Sequence, residues 1–178
     1  MRLACVFAVP DTEIPYLCES VFPALWEQDV QTIVMTNGET SEHDYAIELW
    51  QAFESFAKNA HCEAPAIADS NSDIMNQLLI SGAWFIVISS ADVNGTVVPA
   101  IKGWQLNRPV IGYTRQDEDC ARTWQQNFVR ELKRTPLMGV RSKTQAVAPP
   151  HVVISNNSNN LKETLNSFIT HAADRIGA

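Results

Sequence analysis

The chain has 178 residues, 46% hydrophobic and 19% charged, which excludes a disordered polymer and suits a soluble globular domain with a full core. A formal net charge of −7 and a pI of about 5.0 argue against nucleic-acid binding, which works by neutralising phosphates. They leave room for a small phosphorylated ligand held by a few backbone N–H groups.

The apolar run at residues 3–9, stopped by Pro10-Asp11, predicts a buried strand and its exit turn. It is too short for a signal peptide, and no run approaches the roughly 20 apolar residues of a membrane span. Ile14, Leu17, Cys18, Val21 and Leu25 then recur at helical spacing, with Pro15 in the first turn and Pro23 predicting a kink or interruption. Residues 31–36 are β-rich and closed by Asn37-Gly38. Residues 42–60 place Ala46, Leu49, Trp50, Phe53, Phe56 and Ala57 on one helical face, and 61–70 reads as irregular. A short helix over 73–82 has Ser72 as its cap and Met75, Leu78 and Leu79 facing inward. Strands follow at 84–89 and 109–113, separated by a polar loop and a short helix of small residues. Trp124, Phe128 and Leu132 mark a further helix, and a loop over 143–150 leads to a fifth strand at 152–155. Leu161, Leu165, Phe168, Ile169 and Ala172 mark the last helix.

Strands without alternation, separated by helices, imply a parallel sheet covered on both faces. The expected fold is therefore α/β, a flavodoxin-like three-layer sandwich with a five-stranded parallel sheet in order 2-1-3-4-5, residues 1–178 forming one domain. Its switch point would bring the loop after strand one (Val9, Pro10, Asp11) beside the loop after strand three, residues 90–96.

Several chemistries lack their motifs. There is no GxGxxG after strand one, no GxxxxGK[ST] and no GxSxG elbow. Cys5, Cys18, Cys62 and Cys120 form no CxxC pair, and the four histidines share no spacing, so neither a metal nor a cofactor is expected. A reduced, cytoplasmic setting follows. What survives is Asn94-Gly95-Thr96: Gly95 admits a close ligand, Thr96 suits the N-cap of the next helix, and the N–H groups around Gly95, Thr96 and Val97 suit an anion or hydroxyl. The same residues also suit an ordinary capped turn. Asp92 suits either sugar hydroxyls or loop capping. Arg108 and Arg115 flank the fourth strand, where each is either a phosphate contact or a solvated charge; Trp84 and Trp104 read as base-stacking or core.

The run Asp92 to Thr114, with Asn94-Gly95-Thr96 and then Leu106-Asn107-Arg108-Pro109-Val110-Ile111-Gly112, resembles the signature segment of the nucleoside 2-deoxyribosyltransferases. Ala8-Val9-Pro10 is similar to that family's loop after strand one. The resemblance implies a homo-oligomeric protein that binds a nucleoside or nucleotide in contact with Val9, Pro10, Asp11, Asp92, Asn94, Gly95, Thr96 and Val97. Family members cleave the N-glycosidic bond through a glutamate that attacks the anomeric carbon. In an ungapped match that glutamate falls on Pro99, and Asp92 lies one residue from the family's sugar-binding aspartate. Three readings follow: binding with cleavage lost or altered, an active glycosidase or transferase with Asp92 (next, Asp11) as relocated carboxylate, or a scaffold or sensor for another small ligand.

Overall fold

The computed structural model describes residues 3–36, 41–57, 63–69, 73–135, 148–155 and 160–177. Asn37-Gly38, residues 58–62, Ser72, residues 143–147 and the Pro136-Leu137-Met138 run lie outside them. The strands are β1 (Leu3–Ala8), β2 (Gln31–Met35), β3 (Ala66–Ala68), β4 (Trp84–Ser90), β5 (Val110–Thr114) and β6 (His151–Ile154). The helices are α1 (Ile14–Ser20), α2 (Phe22–Glu27), α3 (Glu42–Ala57), α4 (Ile74–Ile80), α5 (Val97–Gln105), α6 (Glu118–Arg134) and α7 (Asn160–Gly177).

All strand pairs are parallel, in the order β3-β2-β1-β4-β5-β6. This corrects the expected sheet of five strands in order 2-1-3-4-5. The added strand is Ala66-Ile67-Ala68, paired with Ile33 to Met35 in a segment read as irregular. A three-residue strand carries no period that a pattern search can detect, and its pairing comes from the exposed edge of β2. Doubly wound dinucleotide-binding sheets share this order, yet Val9-Pro10-Asp11 stands where their glycine-rich turn would be.

Residue parity on the strands divides the core. Cys5, Phe7, Ile86, Ile88, Ile111 and Tyr113 face α1, α2, α3 and α7, packing on Leu17, Phe22, Tyr45, Leu49 and Leu165. Ala4, Val6, Ile33, Phe85 and Val87 face the other way, towards Met75 and Leu78 of α4. Ala100, Ile101 and Trp104 of α5 pack with Trp124, Phe128 and Leu132 of α6 beside β6. Two glycines permit the close approach on that second face. A Cβ on Gly103 would lie 2.5 Å from Val87 Cγ2, and one on Gly112 would lie 2.9 Å from Val152 Cγ2 and 3.2 Å from the Trp124 ring.

Pro23 does interrupt the second element: α1 stops at Ser20, Val21 has φ −123°, and Pro23 sits in the first turn of α2. The apolar face of α3 is turned from its expected setting, with Tyr45 and Leu49 buried and Trp50 38% exposed.

Candidate functional site

The carboxyl ends of β1, β4, β5 and β6 lie level, with Ala8 beside Ser89, Ser90 beside Tyr113, and Thr114 beside Ile154. The chain leaves β1 and β4 in opposite directions here, so this edge holds the crevice where open α/β sheets take ligands. Its two walls differ in chemistry.

One wall is the Asn94–Thr96 turn and the start of α5. Thr96 is buried with helical backbone angles and does not cap α5 through its side chain. Its hydroxyl lies 2.7 Å from the Ser90 carbonyl and 3.1 Å from that of Val93, and accepts from Trp124 Nε1 at 3.1 Å. The expected cap thus corrects to a strut: a buried hydroxyl satisfies the nearest carbonyls and indole before an exposed helix end. The Val97 N–H donates to the Asn94 carbonyl, and the exposed Asn94 side chain accepts from Asn127 Nδ2 at 3.0 Å. Gly95 is exposed and faces open space. Pro99 is buried within α5.

Asp92, half-buried, joins the two loops. Its Oδ1 accepts from Thr114 Oγ1 at 2.5 Å and its Oδ2 from the Arg115 backbone N–H at 3.2 Å. Both oxygens are engaged in holding the β4 loop to the end of β5, a poor state for a nucleophile.

The opposite wall comes from the turn after β1 and from β5. Val9 is buried and its carbonyl accepts from the Tyr45 hydroxyl at 3.0 Å, while the Pro10 carbonyl accepts from the Glu13 N–H at 3.0 Å. Asp11, half-buried, opens the single turn Asp11–Glu13. That turn delivers Glu13, which sequence reasoning missed; among the described residues it is the one buried acid. Arg115 Nη1 meets Glu13 Oε2 at 3.2 Å, and its guanidinium lies 4.3 Å over the Tyr16 ring. The Tyr16 hydroxyl is 2.6 Å from Ser155 Oγ. Behind this layer sits Tyr113, its ring centroid 6.3 Å from that of Tyr16.

The Tyr113 hydroxyl is fully buried and, among the described residues, has no hydrogen-bond partner. Leaving such a group unsatisfied costs about 1–3 kcal/mol. Burial pushes its phenol well above the ordinary range, reinforced by the charges of Glu13, Tyr16 and Asp92 and opposed by Arg115.

The structure therefore brings Val9, Pro10, Asp11 and Asp92 to one edge with Glu13, Tyr16, Tyr113, Arg115 and Ser155. The Thr96 hydroxyl and the Val97 N–H bond within the loop, and Asn94 bonds to Asn127 at the surface. Strand parity held the missing signal, since Tyr113 shares a face with Ile111 and is the last residue of β5 on that face. Among the described residues, no three His, Cys, Asp or Glu side chains gather as a metal site, and no helix is long and apolar enough to cross a membrane. Arg108 instead stacks 5.4 Å over Phe85. No family model, curated protein or solved structure matches the chain.

Proposed function

We propose that the chain binds a nucleoside or nucleotide in the crevice between β1 and β4 and has lost N-glycosidic cleavage, in keeping with the resemblance at residues 92–114. The observation that carries this reading is the buried Tyr113 hydroxyl, unpartnered among the described residues, on a wall that also holds Tyr16, Arg115 and Glu13 beside the switch point of a parallel sheet. Loss of cleavage is supported by buried Pro99 at the family's nucleophile position and by Asp92 with both oxygens engaged.

The test combines thermal shift with chromatography. Deoxynucleosides or their monophosphates at about a hundred times Kd should stabilise the fold by about 2.7 kcal/mol, a shift of roughly 5–10 °C, with no free base released. Absence of any shift overturns the proposal. One observation favours a second reading: Glu13 is a buried carboxylate at the crevice mouth, available to attack an anomeric carbon once Arg115 turns away. Base release by the native chain that is lost in Glu13→Gln would establish that reading instead.

A further inference from the structure

Three features of the β1/β5 wall point to the charge of the ligand. The Tyr113 hydroxyl is a buried donor without an acceptor among the described residues. Arg115 stacks 4.3 Å over Tyr16, whose ring centroid lies 6.3 Å from that of Tyr113; its side chain is 47% exposed and, among the described residues, held by one ion pair, to Glu13. A guanidinium carries five N–H donors in a planar fork, so one such contact leaves most of its capacity unused. Asp92 does not compete for the guanidinium, because its oxygens are taken by Thr114 and by the Arg115 backbone. Arg115 is half-exposed but Glu13 is buried, so an anion that takes its place must let that carboxylate turn out towards solvent, and its own contacts have to outweigh that cost.

We infer that the Glu13–Arg115 pair is a displaceable latch over an oxyanion subsite, in which a phosphate or carboxylate of the ligand replaces Glu13 on Arg115 and accepts the Tyr113 hydroxyl. The inference rests on the crevice assigned above and adds the ligand's charge. Glu13 competes with the ligand for the same guanidinium and repels it, so it acts against binding. Arg115 and Tyr113 act for it.

Calorimetric titration of the full chain with inorganic phosphate, acetate, a deoxynucleoside and its 5′-monophosphate separates the possibilities. The latch predicts that the monophosphate binds about ten- to a hundredfold more tightly than the nucleoside, the worth of a charge-assisted hydrogen bond. Arg115→Gln removes that preference, Tyr113→Phe reduces it, and Glu13→Gln tightens monophosphate binding. Each variant is compared at a temperature where its melting curve shows it folded. Preference for inorganic phosphate over acetate assigns the subsite to phosphate esters, and the reverse assigns it to carboxylates. Equal binding of nucleoside and monophosphate, indifferent to Arg115→Gln, sinks the latch and leaves the nucleoside reading standing. Arg115-dependent phosphate binding without nucleoside affinity does the opposite. Weaker monophosphate binding in Glu13→Gln overturns the latch outright.

Discussion

The two walls of the crevice are built from similar materials and behave oppositely. On the α5 wall, every polar side chain described has found a partner inside the protein: Thr96 with Ser90, Val93 and Trp124, and Asn94 with Asn127. On the β5 wall, a tyrosine hydroxyl has none among the described residues, and the nearby Arg115, half-exposed, is paired with Glu13. A satisfied polar group stabilises the fold and has little left to offer a ligand, whereas an unsatisfied one costs stability until a ligand arrives. Changes on the first wall should therefore be read in stability, and changes on the second in binding.

The largest expected effect tests the first half of that contrast. Trp124 is 1% exposed, stacks near Phe128 with centroids 5.9 Å apart, and donates to Thr96. Trp124→Ala should cost about 3–5 kcal/mol in chemical denaturation, by cavity formation and loss of the indole donor. A loss under about 1 kcal/mol would show that this wall is not the rigid one. Next comes Gly103→Ala, whose added methyl would meet Val87 Cγ2 at 2.5 Å across the α5–β4 contact. Overpacking of this kind costs about 1–3 kcal/mol. A variant as stable as the parent would mean that α5 shifts freely on the sheet.

How much of this was legible in the sequence follows from the range of the interactions. Layered α/β architecture, the break at Pro23 and the gathering of residues 9–11 with Asp92 rest on local periodicity and on the switch-point rule, which one sequence displays. Three-residue β3 depends on an edge offered by β2, which no window on residues 66–68 contains. The Thr96 strut depends on Trp124, 28 positions away, and the Arg115–Glu13 pair spans 102 positions. Composition at Thr96 fits a cap equally well, and only the folded neighbourhood decides. Glu13 escapes sequence reading because an acid a few residues after a strand has no motif of its own.

The two tyrosines sharpen the comparison within a single wall. Tyr16→Phe removes a hydroxyl that is 2.6 Å from Ser155 Oγ and should cost about 1 kcal/mol. Tyr113→Phe removes a hydroxyl that bonds to nothing described, and should leave the free protein equally stable or about 1 kcal/mol more so. Paired urea denaturation curves at neutral pH decide this by the sign of the difference. Equal losses in both variants would place an unrecognised partner on Tyr113.

The smallest effect is silent at neutral pH and appears only in alkali. The Tyr113 phenol is held well above its ordinary value of 10.0 by burial and by the Glu13, Tyr16 and Asp92 charges. Its folded pKa exceeds its unfolded one, so the native state keeps a proton that the unfolded chain gives up above pH 10. That contribution to stability is complete below pH 10 and is lost as pH rises through the folded value. Ultraviolet titration of the parent against Tyr113→Phe should thus assign to Tyr113 a phenolate that forms late, or only with unfolding. Glu13→Gln should bring it earlier by removing a negative neighbour, and Arg115→Gln should delay it by removing the positive charge that opposes the shift. Opposite movements of a single titration in these two variants would place both charges beside the Tyr113 hydroxyl. Movement in the same direction, or none, would separate the phenol from the pair and leave the second wall as closed as the first.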